Sequence, residues 1–68
     1  MSPEEHYFEN LIFAFAKGGL DEYDKVVEND CNTKWFSQDV KHAIEICAIY
    51  VIDCCQWNKD KVSELLEP

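Results

Sequence analysis

Residues 37–57 read SQDVKHAIEICAIYVIDCCQW, and apolar side chains occupy nearly every side of this segment when it is drawn as a helix. The apolar residues recur at spacings of three and four without glycine or proline, which favours a helix over a strand although several are β-branched. A helix that is apolar on nearly every side does not lie on a surface. We therefore expect this third helix to be the central element on which shorter helices pack, or to be half covered by its own chain and half by a partner. One continuous apolar stripe comprises Val40, Ala43, Ile44, Cys47, Tyr50, Val51, Cys54 and Trp57, while Ile46, Ala48, Ile49, Ile52 and Cys55 fill much of the remaining surface.

A first helix is predicted over about residues 3–17. Ser2 supplies a hydroxyl cap, Pro3 suits the first helical position, and Glu5 completes a capping box three residues after the cap. Two glycines follow, as is common where helices end. Phe13 falls outside the apolar stripe of this helix, so either another helix covers its ring or it belongs to an interface.

Two shorter helices complete the prediction. Asp21 is the expected cap of a second helix that runs to about Glu28, with Tyr23 on its buried side. Turn-forming residues over 29–33 then reverse the chain before the third helix. A final short helix is predicted over about residues 59–67, with its apolar side chains on one side.

Length and composition agree with a small folded domain. The chain has 68 residues, of which 47% are hydrophobic, enough to form a core despite the high charge. A domain of this size is only marginally stable unless a staple, a metal or an oligomer helps. The sequence thus predicts an all-α fold, a single domain over residues 1–68 with three principal helices plus a short C-terminal one.

The charge balance restricts the partners. Fourteen acidic residues face six basic ones, all lysine, for a formal net charge of -8. Such a chain repels nucleic acid, so no direct nucleic-acid binding is expected, whereas a basic protein surface is attracted. The acidic N-terminus does not resemble a secretory leader. The longest uncharged apolar run, residues 46–52, is too short to cross a bilayer, so we expect no membrane partner and a cytoplasmic location.

The cysteines and histidines form no recognisable catalytic or metal-binding motif. Neither a Cys-x-x-Cys pair nor a His-x3-5-His pair is present among the four cysteines and two histidines. His42 and Cys47 point about 140° apart on a helix, so they do not form a base and nucleophile pair. We expect free thiols that pack in the core, no metal, no cofactor and no enzymatic activity. A thiol site built from Cys31, Cys47 and Cys54 is the least favoured alternative.

The acidic residues are more informative as a group, because eight of them fall within the first thirty residues. The simpler interpretation is a solvated surface that keeps the protein soluble. The functional interpretation is a steering face that binds a protein partner with a basic surface. Its predicted charged contacts are Glu5, Glu9, Asp21, Glu22, Asp24 and Glu28, with Phe13 or Tyr23 as an aromatic anchor.

Two classes of function follow from these patterns. The first is a non-enzymatic inhibitor or regulator that occupies a basic surface, including one that would otherwise hold nucleic acid. In size and charge the chain is similar to small acidic inhibitors of nucleic-acid-handling proteins, many of them phage-encoded, although no motif identifies a family. The second is an obligate homodimer that buries the excess apolar surface of the first and third helices, with the acidity serving solubility.

Overall fold

The computed structural model describes residues 1–67 and contains four α-helices and a short 3-10 helix. No β-strand is present in that part of the chain, so the predicted all-α bundle with a short C-terminal helix is confirmed. The predicted single domain also includes Pro68, which lies outside the described residues. In chain order the helices are α1 (Pro3–Gly18), α2 (Leu20–Asn29), the 3-10 helix (Cys31–Trp35), α3 (Gln38–Cys54) and α4 (Lys59–Leu66).

The ends of α1 follow local rules that the sequence displays. The Ser2 hydroxyl accepts a hydrogen bond from the backbone N–H of Glu5 at 3.2 Å, as its capping role requires. At the other end the N–H of Gly19 donates to the carbonyl of Phe15 at 2.8 Å. Gly19 has a φ of 74°, where a residue with a Cβ is strained, so this glycine permits the sharp turn into α2.

The start of α2 differs from the prediction. Gly19 occupies the cap position and Asp21 already lies inside the helix, where no side chain caps the first turn. Gly19 alone forms the turn between α1 and α2, so α2 already begins at Leu20. Asp21 therefore lies within the helix and not at its cap. The capping aspartate lies later, where Asp30 accepts a hydrogen bond from the N–H of Asn32 at 2.8 Å and opens the 3-10 helix.

The central element is α1, although the sequence led us to expect α3 in that place. α1 packs against α2, α3, α4 and the 3-10 helix. Bulky side chains on one face of α1 fill the core, whereas the buried residues of α3 are limited to Ala48 and Ile52. Since α2 and α4 pack mainly on α1, they leave much of α3 uncovered. The core residues are Tyr7, Leu11, Ile12, Phe15, Tyr23, Ala48, Ile52, Cys55 and Val62.

The third helix is also shorter than expected. It ends at Cys54, because Gln56 and Trp57 take left-handed backbone conformations with φ of 58° and 56°. The indole N–H of Trp57 donates to the carboxylate of Asp53 at 2.9 Å, which holds this turn. Asn58 then caps α4 by accepting a hydrogen bond from the N–H of Asp60, also at 2.9 Å.

Candidate protein-binding surface

Tyr23 does not serve as a surface anchor. The residue is 5% exposed and lies in the core, on the side of α2 that faces the rest of the bundle. Its hydroxyl group donates a hydrogen bond to the backbone carbonyl of Glu45 at 3.3 Å. The expectation of an exposed aromatic anchor at this position is therefore wrong, because a buried ring cannot reach a partner without opening the fold.

Phe13, the other expected anchor, lies at the surface. Its side chain is 51% exposed and lines a shallow groove between α1 and α4, next to Ala16 and Leu66. Its position off the core stripe of α1 explains this exposure, since the neighbouring helix α4 covers it only in part. A role for Phe13 in binding stays a prediction.

The predicted acidic contacts lie on two different elements. Glu5 is exposed and Glu9 half-buried on α1, whereas Asp21, Glu22, Asp24 and Glu28 lie on α2, with Glu22 the half-buried member of that set. The expected acidic face therefore draws on two helices, α1 and α2, which pack against each other.

One of these acids already has a partner within the chain. The Lys25 ammonium lies 3.0 Å from the carboxylate of Glu22, one turn of α2 away. The hydrogen bond and charge of Lys25 lower the pKa of Glu22, and the Glu22 carboxylate in turn raises the pKa of Lys25. Glu22 is therefore the least available of the predicted charged contacts for an external cation.

An apolar groove between the start of α1 and the first half of α3 was missed by the sequence analysis. It has a volume of about 580 Å³, large enough to take several side chains. Phe8 and Ile44 are half-buried, the most covered of its apolar lining residues, and we call them its base. Its other lining residues are Glu4, Glu5 and Glu9 from α1 and Val40, Ala43 and Cys47 from α3.

The groove arises from a predicted stripe that the fold does not cover. Of the apolar stripe predicted on α3, only Ile44 and Val51 are half-buried, and the remaining members are exposed: Val40, Ala43, Cys47, Tyr50, Cys54 and Trp57. The face that enters the core is instead the one that carries Ala48 and Ile52. Periodicity could not distinguish these faces, because apolar residues surround the helix on almost every side.

The exposed face of α3 extends the groove along the helix. Ile46 is 63% exposed and Tyr50 is 71% exposed. Cys47, Tyr50 and Cys54 follow one another at helical spacings of three and four, so their side chains lie on the same side of α3. This face is a contiguous strip of apolar and weakly polar side chains, which in a small protein is typical of an interaction surface.

A partly buried polar contact joins the two helices that form the groove. The Tyr7 hydroxyl donates to the Glu45 carboxylate at 2.6 Å, and the Lys41 ammonium lies 3.9 Å from the same carboxylate. Burial, followed by the hydrogen bond to Glu45, raises the pKa of Tyr7. Burial and the nearby Glu45 charge likewise raise the pKa of Tyr23 to about 12. The Tyr7 hydrogen bond thus links α1 to α3, the two helices that line the groove.

The cysteines do not all pack in the core as expected. Cys55 is buried, whereas Cys31, Cys47 and Cys54 are exposed free thiols. Over residues 1–67 no three His, Cys, Asp or Glu side chains lie together as a metal site would require.

No helix within that range is long and apolar enough to cross a membrane.

Comparison of this chain with protein-family models, curated proteins and solved structures gives no match.

Proposed function

We propose that this chain is a non-enzymatic protein-binding module that inhibits or regulates a partner by occupying its basic surface. One observation carries the proposal: negative charge that the fold itself does not neutralise. Of the 14 acidic residues, Glu22 and Glu45 have a lysine within 4.0 Å, and the other acids of the chain make no ion pair among the described residues.

Unpaired surface carboxylates favour association with a cationic protein. Complementary charge raises the rate of encounter and selects against anionic partners, while a net charge of -8 repels nucleic acid at long range. Proteins that bind nucleic acid present basic surfaces, so they fit the proposed class of partner. A chain that covers such a surface blocks it without catalysing a reaction.

The proposal is tested by charge reversal on the partner-facing acids. The partner is recovered from a lysate of the source organism at low salt, identified by mass spectrometry and purified. Its affinity is then measured for the wild-type chain and for Asp24→Lys/Glu28→Lys on α2. We expect the affinity to fall at least about tenfold and the salt dependence to become shallower, with an unchanged melting temperature.

A matched variant separates the position of the charge from its total. Glu64→Lys/Glu67→Lys near the end of α4 changes the net charge equally, and both glutamates are exposed. We expect this variant to lose less than about threefold in affinity, since distant exposed charges are screened. Unchanged affinity in the α2 variant, or binding that does not respond to salt, would contradict the proposed mode of action.

Self-association is a second candidate, which the exposed apolar face of α3 favours. Ile46 and Tyr50 lie on that face, and a two-fold dimer would bury them against the same face of the second copy. Like charge opposes this arrangement, because each copy carries -8. An obligate dimer has a melting temperature that rises with protein concentration and a dimeric mass in sedimentation. A constant melting temperature and monomeric mass over a hundredfold range contradict it.

A further inference from the structure

The groove between α1 and α3 combines an apolar base with an acidic rim. Phe8 and Ile44 lie at the base, and Glu4, Glu5 and Glu9 line the α1 side. An apolar base favours apolar side chains of a ligand, because their burial removes both surfaces from water. The negative charge of these glutamates favours a ligand that also presents positive charge.

The three glutamates are not neutralised within the chain. Neither of the two ion pairs among residues 1–67 includes Glu4, Glu5 or Glu9. Glu4 and Glu5 lie in the first turn of α1, where they complement the positive end of the helix dipole. Glu9 lies beyond the first turn, so the helix dipole does not stabilise its charge.

The dimensions of the groove match a helical ligand. On the α3 side the lining runs from Val40 to Cys47, a rise of about 10.5 Å for seven residues. Apolar side chains at positions i, i+3 or i+4, and i+7 of a second helix span the same distance. The groove is formed by two helices side by side, and a third helix packs naturally along such a cleft.

Charge distinguishes the possible occupants. A second copy of this chain would bring a net charge of -8 to a site that is itself acidic, so like charge opposes it. An anionic or neutral helix would leave the rim carboxylates without partners. A helix with lysine or arginine on both sides of its apolar stripe satisfies the base and the rim together.

We infer that the α1/α3 groove binds a basic amphipathic helix of the partner protein. The inference rests on the proposed function and adds, to the acids of α2, a second contact with the same partner. The apolar residues of the partner helix pack on Phe8, Val40 and Ile44, and its flanking cations face the glutamates of α1. The strip through Tyr50 and Cys54 extends the contact for a longer helix.

A synthetic peptide provides the probe. A fluorescently labelled helix of leucine and lysine, with leucine at i, i+3 and i+7, is titrated with the wild-type chain and followed by anisotropy at low salt. The control peptide has the same composition in an order that forms no apolar face. We expect saturable binding of the patterned peptide at least about tenfold tighter than that of the control.

Two pairs of variants locate the bound peptide. Neutralising the rim in Glu4→Gln/Glu5→Gln/Glu9→Gln is compared with Asp60→Asn/Glu64→Gln/Glu67→Gln on α4, which removes the same charge elsewhere. Within α3, Ala43→Lys is compared with His42→Lys; both residues are exposed, and Ala43 lines the groove. We expect the rim and Ala43 variants to weaken binding at least about tenfold and their controls less than about threefold. Circular dichroism confirms that each variant is folded.

A chemical readout in the unmodified chain identifies the occupied face. Cys47 lines the groove, whereas Cys31 is exposed in the 3-10 helix and serves as an internal control. The patterned peptide is expected to slow alkylation of Cys47 but leave that of Cys31 unchanged, as measured by mass spectrometry of the digested protein. Equal protection of both thiols, or none, overturns the assignment to this groove.

The outcomes separate this inference from the proposed function. If the patterned peptide binds no better than its control while a basic protein partner binds with salt dependence, the groove assignment fails and the proposed function stands. If the peptide binds but no charge-dependent protein partner does, the proposed function fails. If the chain dimerises and the dimer excludes the peptide, a second copy occupies the groove and the inference is overturned.

Discussion

The two long helices, α1 and α3, begin alike and end in different environments. Each starts at a serine whose hydroxyl accepts the N–H of the third residue after it, at 3.2 Å. They have similar lengths, 16 and 17 residues, and both are rich in apolar side chains. Yet Tyr7 and Leu11 of α1 are fully buried, whereas Ile46 and Tyr50 of α3 are largely exposed. Apolar content determines how much surface needs a neighbour, but the position in the bundle determines how much receives one.

The largest expected effect on stability appears when two isoleucines of α3 are compared. Ile52 is fully buried and Ile46 is 63% exposed. We expect Ile52→Ala to lower the free energy of unfolding by about 2 to 5 kcal/mol, because it leaves a cavity, and Ile46→Ala by less than about 0.5 kcal/mol. Urea denaturation followed by circular dichroism measures both. A large loss from Ile46→Ala would show that another molecule covers this face in solution.

A smaller effect is expected from the hydroxyl that joins the two helices. Tyr7→Phe removes the hydrogen bond to the Glu45 carboxylate and is expected to cost about 1.5 to 3 kcal/mol, since the acceptor is charged. Tyr50→Phe is the matched control, because that residue is 71% exposed. Equal urea midpoints for the two variants would mean that the Tyr7 contact does not hold α3 against α1.

Alkaline pH should lower the stability of the fold through two buried tyrosines, Tyr7 and Tyr23. The folded state raises the pKa of Tyr23 to about 12 and raises that of Tyr7. Both phenols therefore stay protonated in the fold but ionise near pH 10 when unfolded, so stability is intact below about pH 10 and falls as the pH rises towards about 12. The expected slope is about 1.4 kcal/mol per pH unit for each tyrosine.

The pH effect is measured by urea denaturation at a series of alkaline pH values. Tyr23→Phe removes one of the two titrating groups, so its stability should fall less steeply than that of the wild-type chain over the same range. Tyr50→Phe again serves as the control. Parallel curves for the wild-type chain and Tyr23→Phe would contradict the assignment of Tyr23 to the alkaline loss.

The smallest expected effect concerns the two serine caps. Ser2→Ala and Ser37→Ala each remove one hydrogen bond to an otherwise unpaired backbone N–H, at a cost of about 1 kcal/mol. Thermal denaturation compares the two, and threonine at each site should restore most of the loss. If Ser37→Ala alone is without effect, the start of α3 is frayed in solution.

The sequence predicted features that depend on neighbouring residues in the chain. The cap at Ser2 was predicted correctly because it acts within one helical turn. The cap of α2 was predicted wrongly at Asp21. Aspartate is a good cap, but Gly19 takes the cap position and α2 begins at Leu20.

Features that depend on packing were harder to predict. An almost uniformly apolar helix has no preferred side, so the buried face of α3 could not be identified from its pattern. Tyr23 was expected both on the buried side of α2 and as a surface anchor, and only the packed structure distinguishes these roles. The groove lies between residues about 35 positions apart in the chain, and no local pattern reports such a contact.

The central position of α1 has a consequence for folding. α1 and α2 are adjacent in the chain and close only a short loop, whereas α4 reaches α1 across long separations, as in the hydrogen bond from Ser63 to the carbonyl of Ala16. Short loops close at a lower entropic cost, so the α1–α2 hairpin is expected to form early and to recruit α3 and α4 later. Because the later helices meet mainly on α1, this helix couples their stabilities and makes unfolding cooperative.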